Sequence, residues 1–362
     1  MAHIYWYRTA QHSTAQHTCV WSKSNTRETE RSTLSLSGSI MEGGKRVVCV
    51  TGAGGYLASW VVNFLLSKGY SVHGTVRDPG DQRNAHLMKI EGAFEKLRLF
   101  KADLLNYESL LEAIAGCEGV FHVASPVPST SVPNPEVELV EPAVTGTINV
   151  LKASSEAKVK RAVFVSSLAA IVMNPNLSKD QVIDEECWSD MEYCRTTGNW
   201  YCLSKTAAEK EALEYGKRNG LDVVTVAPCL VLGPMLQSNM NASSLVLVKL
   251  LRDGINTIEN KVRNVVDVRD VAEALLLTYE KPEAEGRYLC VSNTTKARDL
   301  VEKLRSMYPN YNYPKNFKEV EEEESKVSSA KLQRLGWKFR PLEDTLADSV
   351  KSYDEAGILH KD

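Results

Sequence analysis

The sequence predicts an α/β fold, a doubly wound parallel sheet followed by a smaller C-terminal substrate-binding lobe. Three observations predict it. Short continuous apolar runs recur through residues 46–228, as strands buried on both faces require. Helix-compatible stretches separate them, and strands alternating with helices build a parallel sheet. The first run passes through a glycine-rich turn straight into a helix, the arrangement that places backbone N–H groups and a helix N-terminus around an anion.

Residues 1–40 mix His, Ser, Thr and Gln with isolated aromatics and show neither helical nor strand periodicity. They are expected to be a largely disordered extension, with Met41 opening Met-Glu-Gly-Gly-Lys-Arg as a natural start. Arg46–Val50 is the first strand, Thr51–Ala58 the glycine-rich turn, and Trp60–Lys68 a helix stopped by Gly69. Glycines there permit a tight turn and close approach of backbone to a pyrophosphate. The second strand, Ser71–Val76, ends at Arg77, where an acidic residue would meet a ribose hydroxyl in an NAD enzyme. A guanidinium suits a 2′-phosphate instead, Arg83 could join it, and the pair points to NADPH. The plainer alternative is a solvated surface Arg.

Leu97–Phe100 reads as the third strand, with Ala102-Asp103-Leu104 at its end and Asn106 capping a helix through Ala115. Gly119–Ala124 is the fourth, ending in Ser125-Pro126, and its small residues let the backbone lie against a cofactor. His122 within it is read as a packed, hydrogen-bonded core residue. Pro126–Pro135 loops out, and a helix follows over about 138–159 with Pro142 near its start. Arg161–Val165 is the fifth strand, ending at Ser166-Ser167.

After a polar insertion over 174–199 comes a helix carrying Tyr201 and Lys205. Residues i and i+4 share a helix face, roughly 5–6 Å apart at Cβ. A neighbouring ammonium lowers the pKa of a phenol from its usual value of about 10 and makes it a better proton donor. Leu221–Pro228 is the sixth strand. Beyond Cys229 the pattern loosens, with an acidic run at Glu319–Glu324 read as a solvated face and a last helix over about 342–356. The expected division is therefore 1–40 extension, 45–228 nucleotide-binding Rossmann domain, and 229–362 mainly substrate lobe.

The bulk composition excludes several classes. At 362 residues, 43% hydrophobic and 25% charged, the chain reads as a soluble globular protein. A net charge of −3 gives no reason to expect nucleic acid or an acidic membrane as partner. No apolar run approaches the ~18–20 residues that cross a bilayer. The eight Cys form no Cys-x-x-Cys pair and no zinc-spaced cluster, so a reducing, cytoplasmic compartment without a metal is expected. Cys194 and Cys202 are close enough for a redox clip, with two unpaired thiols as the simpler reading.

These residues together resemble the extended short-chain dehydrogenase/reductases, and within them the plant dihydroflavonol reductase and cinnamoyl-CoA reductase group. The motifs are Thr51–Ala58, Gly74–Asp78, Phe121–Pro126, Val165–Ser167, Asn199–Lys205, Val231–Pro234 and Asp267–Val271. The resemblance runs from about Lys45 to the C-terminus. It implies a catalytic set of Ser167, Tyr201 and Lys205. Tyr201 would protonate the substrate oxygen, Lys205 would lower its pKa and hold the nicotinamide ribose, and Ser167 would hydrogen-bond the oxygen. It also implies NADP(H) contacts: Gly52, Gly55, Tyr56 and Leu57 at the pyrophosphate, Arg77 and Arg83 at the 2′-phosphate. Asp103 and Leu104 would face the adenine, and Ala124, Ser125 and Pro228 the nicotinamide side.

The group's signature continues Tyr-Gly-Lys where this chain has Leu203-Ser204-Lys205, and Val246 stands where cinnamoyl-CoA reductases usually place a His. Met173-Asn174-Pro175 and Lys249 are similar to that group. The resemblance thus implies an NADPH-dependent carbonyl reductase, a monomer or weak dimer, acting on a hydroxycinnamoyl-CoA thioester or a related phenylpropanoid aldehyde or ketone. Two alternatives are a sugar-nucleotide epimerase or dehydratase, against which Arg77 argues, and a non-catalytic NADPH-binding regulator, against which the Ser-Tyr-Lys set argues.

Overall fold

Seven strands run parallel through the centre of the molecule, one more than the six expected. The structure, a computed structural model, describes residues 46–125, 133–178, 180–320 and 326–359. The expected extension over 1–40, most of the Pro126–Pro135 loop and most of the acidic run at 319–324 lie outside the described residues. In chain order the strands are β1 (Val47–Val50), β2 (Ser71–Val76), β3 (Leu97–Lys101), β4 (Gly119–His122), β5 (Arg161–Val165) and β6 (Val223–Pro228). They continue with β7 (Leu230–Leu232), β8 (Thr257–Glu259), β9 (Val262–Asp267), β10 (Gly286–Cys290), β11 (Asn293–Lys296) and β12 (Asn316–Lys318). The main sheet has the order β10-β6-β5-β4-β1-β2-β3.

The seventh strand, β10, comes from beyond residue 228 and pairs with β6 from Gly286 opposite Val224 to Cys290 opposite Pro228. Its second residue, Arg287, interrupts the apolar run that would have announced a buried strand. The charge is tolerated because Glu209 meets it in the core, at 3.0 Å.

Each face of the sheet is covered by helices whose apolar residues repeat at helical spacing. On one side Tyr56–Ser67 and Val268–Glu280 bury Val61, Leu65, Val271 and Leu275 against β1 and β5. On the other, Tyr107–Ile114, Glu141–Glu156 and Trp200–Asn219 bury Leu110, Val150, Leu151 and Ala212. Each fully buried aliphatic side chain contributes roughly 1.5–3 kcal/mol. Asn106 caps its helix as the sequence predicts, its side chain accepting from Ser109 N at 3.0 Å. The helix expected over 138–159 begins instead as a single π-helical turn, Glu136–Val140, before Glu141–Glu156. The last helix occupies Leu342–Glu355.

Two small sheets, β11-β9-β7 and β12-β8, follow the main one. With them goes a third apolar cluster that includes Leu232, Leu247, Val301, Leu346 and Tyr353.

Arg161, the first residue of β5, locks the Val268–Glu280 helix to the sheet. Its guanidinium donates to the carbonyls of Thr278 (2.8 Å), Lys281 (2.6 Å) and Ala284 (3.0 Å), and to Asp222 at 2.8 Å. Those carbonyls stand at a helix end, where intrahelical donors run out. Arg161→Met should therefore cost about 3 kcal/mol, from buried acceptors left unmatched and Asp222 left without its cation. A melting curve checks it, with a fall of roughly 4–5 °C expected for a chain of this size.

Candidate active site

In the sheet order the chain leaves β1 towards β2 on one side and β4 lies on the other, so a crevice opens at the C-terminal ends of these strands. Gly52, Gly55, Arg77, Asp103, Ala124, Ser125 and Ser167 all lie in the segments that follow the C-terminal ends of β1 to β5. The glycine-rich turn fills the crevice from below. Thr51 N donates to Phe121 O at 3.0 Å and Ala53 N to Thr75 O at 2.9 Å, which pins the turn to both neighbours. Gly52 has φ +67°, and a Cβ there would sit 3.0 Å from that of Ala124. A Cβ on Gly54 would fall 2.0 Å from Asn84 Oδ1. The helix that starts at Tyr56 has no side-chain cap and no acid in its first turn, which leaves its positive end for an anion.

Tyr56 departs from a simple phosphate role. Its ring is buried and its hydroxyl donates to Gly233 O at 3.0 Å, while Trp60 Nε1 donates to Pro234 O at 2.8 Å. Burial drives the Tyr56 phenol far up, so it stays protonated. Only its backbone can serve a ligand at the turn, as can that of Leu57.

At the end of β2, Arg77 is exposed and shares an open cavity of about 370 Å³ with Lys101, Ala102, Asp103, Asn106 and Ser109. Arg83 is engaged elsewhere: its Nε and Nη2 reach Asp81 Oδ2 at 2.7 and 2.5 Å. The guanidinium holds the Asp81 carboxyl below its usual range, with Arg77 adding a weaker pull. A phosphate at Arg83 would compete with that carboxylate. Lys101, one residue before the expected adenine-side stretch, is a cation that the sequence reading passed over. Its place at a strand end beside Asp103 was the available signal. Asp103 spends one carboxylate oxygen on Leu105 N (2.9 Å), and Leu104 packs where a Cβ on Gly146 would come within 2.9 Å.

The end of β4 is held by a directed hydrogen-bond chain. Val123 N and Ala124 N both donate to Thr51 Oγ1, at 3.1 and 3.0 Å. The Thr51 hydroxyl proton is then left for His122 Nδ1, 2.9 Å away. His122 Nε2 faces Thr147 Oγ1 at 3.4 Å, and that hydroxyl donates on to Ala143 O at 2.8 Å. The network assigns the neutral Nε2–H tautomer. Burial, and then the Lys205 charge, pushes the His122 pKa down to about 3. His122 is the packed, hydrogen-bonded residue expected, and it also orients Ala124 and Ser125, which are half-buried at the rim. Pro228 ends β6 opposite Cys290, beyond the last β5 pair, so its missing N–H breaks no bond of the sheet with β5.

The two serines after β5 face opposite ways. Ser166 Oγ donates inward to Glu209 Oε2 at 2.7 Å. Ser167 Oγ accepts from Ala169 N at 3.2 Å and interacts with the Tyr201 phenol. Tyr201 lies in the first turn of Trp200–Asn219 with 38% of its surface exposed. Lys205, one turn on, is buried, and its Nζ donates to Val165 O at 3.3 Å.

The electrostatics differ from the simple expectation that the ammonium lowers the Tyr201 pKa. Burial of the phenol group dominates and raises it, with Ser167 pulling down and Cys202 up. Lys205 has turned toward a carbonyl, and its own pKa is pushed down to about 8 by burial, with Glu209 opposing. Cys194 and Cys202 are free thiols. Glu209, one turn beyond Lys205, was missed, although repeating the i, i+4 step would have found it.

The sequence pattern of the NAD dependent epimerase/dehydratase family matches residues 48–290. The chain is 50% identical over 317 residues to cinnamoyl-CoA reductase 1 of Petunia hybrida, covering 87% of this chain and 94% of that one. Among solved structures it is similar to vestitone reductase from alfalfa, with TM-score 0.75 and 33% identity over 86% of this chain and 99% of that one. It is also similar to yeast methylglyoxal/isovaleraldehyde reductase Gre2 complexed with NADPH, with TM-score 0.73, 26% identity and the same coverage of both chains.

Proposed function

Since the chain belongs to the NAD dependent epimerase/dehydratase family, and within it to the cinnamoyl-CoA reductase-like reductases, we propose that it reduces the carbonyl of a hydroxycinnamoyl-CoA thioester or a related phenylpropanoid aldehyde or ketone. The chain is an NADP-dependent oxidoreductase. The observation that carries the reductase reading is the contact of Ser167 with Tyr201, one helical turn before the buried Lys205.

The residues fit a dinucleotide. Gly52 and Gly54 let the turn close against Ala124 and Asn84, the helix that follows presents an uncapped, acid-free N-terminus, and Arg77 offers a cation at the strand end. Gly52, Gly55, Tyr56 and Leu57 would hold the pyrophosphate through backbone, and Arg77 the 2′-phosphate. Asp103 and Leu104 would lie at the adenine, and Ala124, Ser125 and Pro228 at the nicotinamide. When bound, the cofactor supplies the hydride. Tyr201 gives its proton to the carbonyl oxygen, and its raised pKa keeps that proton in place until the oxygen gains charge. Ser167 donates a hydrogen bond to the same oxygen, and the Lys205 ammonium stabilises the phenolate left behind.

With a thioester the carbon–sulfur bond must also break, releasing the CoA thiol. Val246 and Lys249 stand three residues apart on the side of Ala242–Arg252 away from buried Leu247 and Leu251. We read this stretch as facing the acyl group or CoA. Oxidation of NADPH by the purified chain, with feruloyl-CoA in one cuvette and coniferaldehyde in another, tests the reading. Turnover of either is the expected result. Tight NADPH binding with silence in both would favour a regulator.

A further inference from the structure

Three charged side chains lie in the core below the candidate active site: Lys205 is 5% exposed, Glu209 0% and Arg287 7%. Charge in such a place is costly unless matched and hydrogen-bonded. Glu209 accepts four hydrogen bonds, from Ser166 Oγ (2.7 Å), Thr225 Oγ1 (2.6 Å), Arg287 Nε (3.0 Å) and Arg287 Nη2 (3.2 Å). Arg287 Nη1 is satisfied by the carbonyls of Glu185 and Cys187, both at 2.7 Å, and its guanidinium lies 3.4 Å from the centre of the Trp188 ring. The pair therefore ties β5, β6 and β10 to the helix that carries Tyr201 and Lys205.

We propose that Glu209, with Arg287 as its counterion, is a positioning residue for this site: it turns the end of β5 so that Ser167 faces Tyr201, and it keeps the buried Lys205 ammonium protonated. The first half follows from alternation, since Ser166 held inward by Glu209 leaves Ser167 to point the other way. The second follows from helical spacing, which stacks Glu209 one turn after Lys205 on the same face. The other titratable groups facing Lys205 are His122 from β4, which is neutral, the Tyr201 phenol, and Arg287 beyond Glu209. None of these supplies negative charge. Glu209 alone opposes the burial that draws the Lys205 proton off.

The inference rests on the reading of Tyr201 and Lys205 as acid and partner, so its test includes a measurement that needs no substrate. Lys205 has its folded pKa depressed from 10.5 to about 8. Its charged form therefore costs stability at every pH below 8, and that cost is relieved as the pH rises towards 10.5. In Glu209→Gln the folded pKa falls further and relief begins at lower pH. The melting deficit of E209Q against the parent should be largest at mildly acid pH, below the variant's own Lys205 pKa, and narrow through neutrality to its non-titrating remainder by about pH 9, one unit above the parent value of about 8. A deficit constant across that range would overturn the electrostatic role, because lost hydrogen bonds and an orphaned guanidinium do not titrate there.

In the same variant the alkaline limb of kcat/KM should move down by roughly one pH unit or more. It should stay in place in Ser166→Ala, which keeps the carboxylate. An unmoved limb in E209Q would overturn the inference, whereas a parent limb insensitive to Lys205→Arg would count against the acid-and-partner reading instead. If E209Q does not fold, Glu209→Gln/Arg287→Gln removes both buried charges, and its melting deficit is read against pH by the same rule.

Discussion

Tyr201→Phe is expected to lower kcat by roughly 10²–10⁴-fold while the affinity for NADPH stays nearly unchanged. The substitution removes one oxygen and keeps the ring, so little packing is lost. What disappears is the proton for the carbonyl oxygen, a group that acts only as charge develops there, and such a loss falls on kcat and kcat/KM together. Ser167 remains as a hydrogen-bond donor, and it accounts for residual turnover. Stopped-flow binding of NADPH and steady-state rates on the same preparation separate the two quantities. Equal turnover in the variant would remove Tyr201 from the mechanism.

The second large effect is expected at Arg77. Arg77→Glu replaces a cation by a carboxylate at the mouth of the cavity shared with Lys101 and Asp103. A charge-assisted contact to a 2′-phosphate is lost and a repulsion is added, together on the order of 3 kcal/mol, or about a hundredfold in kcat/KM for NADPH. NADH carries no such phosphate and should be used as well as before, or better, because an acid at this strand end can meet the ribose hydroxyls. Arg83→Gln should change the ratio far less, since that guanidinium is already committed to Asp81 at 2.7 and 2.5 Å. Comparing kcat/KM for the two cofactors across both variants decides the matter. An unchanged ratio in Arg77→Glu would place the phosphate elsewhere.

What could be read from the sequence was set by distance along the chain. Strands β1 to β6 are local apolar runs, and the Tyr201–Lys205 spacing is a local helical fact, so both were readable. Arg83 with Asp81 is equally local, but an i, i+2 pair carries no helical or strand periodicity that would mark it in the sequence. The partners that set the electrostatics were not readable. His122 meets Thr51 across 71 residues, and Glu209 meets Arg287 across 78. Nothing in a one-dimensional pattern says which buried charge a strand residue will find. The direction of the Tyr201 pKa failed for the same reason, since burial by distant segments outweighs the nearby ammonium.

The clasp of Tyr56 and Trp60 on the carbonyls of Gly233 and Pro234 joins residues 177 and 174 positions apart. A ribosome adding about 5–20 residues per second needs roughly 9–35 s to cover that interval. Throughout it the nascent chain holds the glycine turn and its helix without their final anchor. Contacts of such long sequence separation form late and slow the search for the native state. A chain cut after Pro228 would keep every glycine of the turn and still lack both carbonyls that anchor the helix behind it. The most local-looking motif in the sequence is therefore completed only once about two thirds of the chain exists.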